Sequence, residues 1–88
     1  MVYEVEITPE GLRQLNHLPD KVRGAVLETI FGSIAENPQR AGKPLKGELE
    51  VLHSARRGEF RVIYEIDETS RIVLVHRAQH RRSAHRKR

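Results

Sequence analysis

The chain has 88 residues, no cysteine, a net charge of +4 and a pI near 10.0, which predicts one small domain and excludes disulfides and thiolate metal sites. Its longest apolar run, Ile72 to Val75, is far too short to span a bilayer. Met1-Val2-Tyr3-Glu4-Val5-Glu6 lacks the basic start and apolar stretch of a secretory leader, so a cytoplasmic protein without a membrane partner is expected.

The chain opens with a half-buried strand over residues 2–7, in which Tyr3, Val5 and Ile7 share one face and Glu4 and Glu6 the other. Thr8-Pro9 then reads as a helix start, a capping hydroxyl followed by proline at the first helical position. Leu12, Leu15 and Leu18 recur along one face of that helix. Leu18-Pro19-Asp20 breaks it, and Val22, Val26, Leu27, Ile30, Phe31 and Ile34 give a second helix of about four turns that ends at Asn37-Pro38. Residues 38–50 are rich in Gly and Pro and read as a loop. Gly42-Lys43 lacks the upstream glycine spacing and following Ser/Thr of a phosphate-binding loop, and Pro44 removes an amide, so no nucleotide site is expected there.

The remainder reads as a three-strand antiparallel meander: a strand from Val51 to Arg56, a turn at Arg57-Gly58, a strand from Phe60 to Asp67, a turn at residues 68–70, and a strand from Arg71 to about Ala78. In the middle strand Phe60, Val62, Tyr64 and Ile66 form an apolar face and Arg61, Ile63, Glu65 and Asp67 the opposite one. The predicted fold is α+β: a single domain over residues 1–88, with an N-terminal strand, a helical hairpin and the meander, both helices on one face of a mostly antiparallel sheet. Residues 79–88 form a basic C-terminal tail, read either as a short helix or as unstructured chain.

Charge is distributed unevenly along this order. Residues 1–50 hold six Lys/Arg against eight Asp/Glu, and residues 51–88 ten against four. The second half therefore attracts polyanions, unless its basicity serves only solubility. Arg56, Arg57 and Arg61 sit around one turn, which predicts an anionic ligand at that sheet edge. A helical turn in the tail would set Arg81 and His85, four residues apart, side by side. His53 before the arginine turn could stack on a base, His80 is a second candidate acid, and Arg77, Arg82 and Arg86 add cations. His17 and His76 are assigned to structure, Tyr64 to the core with its hydroxyl near the rim. The five histidines lack metal-ligand spacing, so no metal and no cofactor is expected.

Three segments together resemble a known family: Gly42-Lys43-Pro44-Leu45, then Leu52-His53-Ser54-Ala55-Arg56-Arg57-Gly58-Glu59-Phe60-Arg61-Val62-Ile63-Tyr64, then His80-Arg81-Arg82-Ser83-Ala84-His85-Arg86. They look like the RelE toxins of RelBE-type toxin–antitoxin systems, within the RelE/ParE superfamily, and most like the actinobacterial members. The resemblance implies a metal-independent, ribosome-dependent mRNA endonuclease that inhibits translation by cutting in the A site. It implies a RelB-like antitoxin as partner, with operator DNA bound only by the toxin–antitoxin complex. Arg61 and Arg81 match the family's phosphate-contacting arginines. Where many members carry a catalytic tyrosine this chain has His85, whose ordinary pKa of ~6.5 suits proton transfer near neutral pH. Where some carry strand lysines it has Leu52 and Ser54, a loss of charge that Arg56 and Arg57 would replace. Two alternatives remain open at this point, a ParE-like gyrase inhibitor and a catalytically weakened RelE-like binding or regulatory protein.

Overall fold

In the computed structural model, which describes residues 2–45 and 51–80, the alternating segments form a five-stranded mixed sheet in the order β1-β5-β4-β3-β2. Strand β1 is Glu4–Ile7, β2 Lys43–Pro44, β3 Leu52–Arg57, β4 Phe60–Asp67 and β5 Ile72–His80. Neighbours β3/β4 and β4/β5 are antiparallel, as the meander predicts; β2 also pairs antiparallel with β3, and β1 lies parallel to β5. The helices between β1 and the meander carry the chain back across the sheet, and a parallel pair requires such a crossover. Residues 38–45 are not the plain loop expected from their Gly and Pro. Pro38–Ala41 forms a one-turn helix, α3, and Lys43–Pro44 pairs with Ser54 and His53 as an edge strand, a position where proline costs the ladder nothing.

Helix α1, Pro9–Asn16, starts as its sequence dictates: Thr8 Oγ accepts from Gly11 N at 3.0 Å with Pro9 behind it. The same helix start completes the free edge of β5. Beyond Ile7↔Val75 the parallel ladder ends, and there Thr8 Oγ donates to His76 O at 3.2 Å while Gln14 Oε1 accepts from Ala78 N at 2.8 Å. This close seat explains one departure from the periodicity. A β-carbon on Gly11 would lie 3.1 Å from Val75 O, so glycine is the residue turned to the sheet and Leu12 faces outward, 50% exposed.

Helix α2, Asp20–Thr29, continues into one π-helical turn, Ile30–Ile34. That turn keeps Ile30 and Ile34 in the core and leaves Phe31 56% exposed, against the expectation of a uniform stripe. Leu15, Val26, Ile30 and Ile34 from the helices meet Ala55, Val62, Tyr64, Val73, Val75 and Ala78 from one face of the sheet. Each large side chain so buried stabilises the fold by about 1.5–3 kcal/mol. In β5 the buried set runs Val73, Val75, then Ala78. A bulge at His76, opposite Ile63/Tyr64, inserts one residue and shifts the phase of everything after it.

Candidate active site

The face of the sheet turned away from the helices carries the charged residues. Arg56 on β3 stands directly across from Arg61 on β4, so the pleat turns both guanidiniums to this face. Like charges in that relation destabilise a sheet by a few tenths of a kcal/mol or more. Among the described residues neither is ion-paired. They line a groove of about 580 Å³ with Arg40, Ser54 and residues 41–45, Lys43 among them, so that the described residues bring four cations and no carboxylate to its wall. An uncompensated cationic concavity of this kind is built to receive an anion.

Three segments hold the groove in shape. The β3–β4 hairpin turns at Gly58, whose φ of +60° favours glycine, and its register fixes Arg56 against Arg61. On the opposite wall, Tyr64 Oη donates to Pro38 O at 2.7 Å, tying α3 to the sheet. Gly42 then passes so close that a β-carbon there would lie 2.6 Å from both Ser54 O and Tyr64 Oη. Tyr64 is therefore fully buried rather than rim-placed, and burial pushes its hydroxyl up to about 12, so it stays a neutral donor.

Arg61 also borders a neighbouring groove of about 340 Å³ that holds His76, Arg77, Gln79 and Glu10. His76 Nε2 lies 3.1 Å from Glu65 Oε1, and Arg77 Nε 4.0 Å from Glu10 Oε2. His76, assigned to structure from the sequence, is the residue inserted at the bulge and sits beside Glu65 in this groove. Arg40 and Lys43 are not among the residues expected from the sequence, since only the pairing of β2 with β3 brings Lys43 opposite Ser54.

The other expected site residues divide. Arg57 pairs across from Phe60 on the helix-facing side and lines a separate, mainly apolar groove with Lys21, Val22, Ala25 and Val26. The three arginines of the turn thus do not converge, and Arg57 does not replace charge beside Arg61. His80, across from Phe60, shares that side, with its ring edge-on to Phe60 and Nε2 3.3 Å from Glu59 Oε1. His53 stacks on Tyr64 with ring centroids 5.7 Å apart; its Nδ1 is buried without a partner, and burial lowers its pKa. That environment suits a packed neutral ring better than one stacking on a nucleobase. His17 Nδ1 donates to Arg13 O at 2.8 Å. Arg81, Arg82, His85 and Arg86 lie outside the described residues. Among the described residues no group of three or more His, Asp or Glu is arranged to hold a metal ion, and no helix is long and apolar enough to cross a membrane.

Comparison with known proteins places these features in a setting. Residues 5–85 match the family described as ParE toxin of type II toxin-antitoxin system, parDE. Toxin RelE of Mycobacterium tuberculosis is 49% identical over 83 residues, covering 93% of this chain and 84% of that protein. Toxin RelG of the same organism is 40% identical over 87 residues, covering 99% of this chain and all of the relative. The crystal structure of the M. tuberculosis toxin-antitoxin complex RelBE2 contains a chain that superposes with a TM-score of 0.87 at 40% identity, covering 91% of this chain and 92% of that one. The isolated Escherichia coli RelE toxin shares the fold, with a TM-score of 0.74 at 18% identity, covering 89% of this chain and 83% of that one.

Proposed function

The chain belongs to the RelE/ParE toxins of type II toxin–antitoxin systems, and from that premise we propose that it is a ribosome-dependent endoribonuclease that cuts mRNA in the A site and so arrests translation. One observation carries the reading: Arg56 and Arg61 are opposed across two strands and, among the described residues, have no ion-pair partner and line a groove without a carboxylate. The sheet tolerates this repulsion at its centre, and an RNA phosphate is the ligand that would relieve it.

The reaction is transesterification. The ribose 2′-hydroxyl attacks the adjacent 3′ phosphate, a P–O bond forms as the bond to the 5′ oxygen breaks, and a cyclic phosphate and a free 5′-hydroxyl result. Arg61 holds the scissile phosphate through two parallel N–H···O bonds and stabilises the extra negative charge of the phosphorane. Arg56 secures the same strand of RNA from across the hairpin. Arg81 is assigned a second clamp on the phosphorane by its match to the family's tail, and His85, which stands where many members carry a catalytic tyrosine, the transfer of the 2′ proton, a task that imidazole chemistry suits. Arg77, on the same sheet face, meets the flanking backbone. The leaving 5′ oxygen takes up one proton, which balances the one removed.

A RelB-like antitoxin is the partner that silences the enzyme, as the M. tuberculosis relative solved as a toxin–antitoxin complex suggests. Operator DNA is bound by that complex and not by the toxin alone, and the toxin acts in the cytoplasm, where mRNA and ribosomes meet. The ParE description of the matched family favours a second reading, inhibition of gyrase.

The test is primer extension on ribosomes programmed with a defined A-site codon. The parent should leave breaks within that codon, and Arg61→Ala should slow them by about 10²–10³-fold, the usual effect of removing one transition-state donor, with a thermal midpoint equal to the parent's or slightly above it, because the repulsion from Arg56 is relieved. Intact mRNA together with blocked supercoiling by gyrase would transfer the protein to the second reading. Intact mRNA with normal gyrase would mark a binding protein without catalysis.

A further inference from the structure

We infer that Lys43 is a third phosphate ligand in the arginine groove, gripping the phosphate next to the one held by Arg61, so that the site recognises at least two consecutive phosphates of single-stranded RNA. The inference rests on the ribonuclease reading and adds to it a residue and a substrate requirement.

The placement follows from the ladder. Lys43 pairs with Ser54, Ser54 is two residues from Arg56 along β3, and Arg56 pairs with Arg61. All four residues therefore project to the same face, and all four line the groove. Lys43 and Arg61 stand two strand spacings apart across the sheet and two residues apart along it, about 12 Å between backbones, a separation that lets their side-chain ends rest on successive phosphates. Ser54, between them, brings no charge.

Lys43 is also anchored more firmly than its exposure suggests. On one side Gly42 is wedged against Ser54 O and Tyr64 Oη; on the other, Leu45 N donates to Leu52 O at 2.9 Å. Its backbone is thus fixed while its side chain stays in water, and among the described residues no carboxylate pairs with it. The chemistry divides in the same way. Arginine's planar fork suits the two equatorial oxygens of a phosphate under attack, whereas a compact ammonium serves as a point charge for a neighbouring phosphate that does not react. Arg57, the other cation near this turn, cannot take the role because it lines the groove on the helix-facing side.

Two measurements on the same variants test this. The first is the affinity for a short single-stranded oligoribonucleotide made uncleavable by 2′-O-methylation, titrated over a range of salt. The second is the rate of A-site cleavage on programmed ribosomes. Lys43→Ala should bind about tenfold more weakly at low salt and lower the slope of log affinity against log salt by about 0.7, the value for one phosphate on a single strand. It should also slow cleavage, with an unchanged thermal midpoint. Lys43→Arg should restore most of the binding, and Lys21→Ala, a lysine on the other groove, should match the parent. If Lys43→Ala does not fold, Lys43→Gln carries the same expectation. A parent that binds and cuts, an Arg61→Ala that loses both, and a Lys43→Ala equal to the parent in slope and rate would overturn the Lys43 assignment alone. A parent that neither binds the oligonucleotide nor cuts on ribosomes would overturn the ribonuclease reading and this inference with it.

Discussion

The two faces of β4 have opposite fates. Phe60, Val62, Tyr64 and Ile66 point toward the helices, and Val62 and Tyr64 are fully buried; one residue out of step, Arg61, Ile63 and Glu65 face water. On the inner face energy comes from excluded water and close packing. On the outer face the sheet gives some up by opposing Arg56 to Arg61. Stability and ligand capture are thereby separated by a single peptide unit. A substitution on one face should move one property and leave the other alone.

The largest effect on the stability side is expected for Ile34→Ala, which empties a fully buried site and should cost about 2–5 kcal/mol in chemical denaturation. Cleavage per folded molecule should stay near the parent's; a matching loss of activity in molecules shown to be folded would break the separation. Tyr64→Phe sharpens the comparison, because Tyr64 belongs to the inner face yet holds α3, and through it a wall of the outer groove. Losing the bond to Pro38 O should destabilise by about 1–3 kcal/mol and also weaken RNA binding, the one inner-face change expected to do both.

The smallest effect concerns pH. Burial keeps the His53 imidazole below its ordinary 6.5, so the unfolded chain takes up a proton before the folded one does. Its contribution to stability is fully present above the unfolded value and is lost as pH falls below it. Thermal midpoints at about pH 7.5 and pH 5.5 should therefore differ more for the parent than for His53→Phe. Equal differences would mean that the buried ring nitrogen plays no part.

Much of the architecture was legible in the sequence because short-range rules decide it. Thr8-Pro9 caps α1, alternation marks β1 and β4, and turn residues bound the meander. What could not be read depends on partners distant in the chain. Residues 43–44 look like loop because Pro44 argues against a strand, and only β3 beside them makes an edge strand. The bulge at His76 has no local signature and still decides that Arg77 and Gln79 face outward while Ala78 is core. For the site, Arg56 and Arg61 were legible from their spacing about Gly58. Arg57 was misplaced because neighbours along a strand point to opposite faces, however close they stand in sequence. Lys43 was missed because its charge joins the groove only through tertiary pairing.

The position of β5 has a consequence for how the molecule comes into being. It lies between β1 and β4, and residues as far apart as Thr8 and His76, separated by 68 positions, must bond before α1 has its bed. On the ribosome the opening strand emerges long before the partner it needs, so the early half of the nascent chain waits without a sheet to join. Such sequence-distant pairing makes folding slow and leaves apolar surface open to interception meanwhile. A binding partner already at hand as β5 emerges could therefore meet this protein at the moment it first acquires its shape.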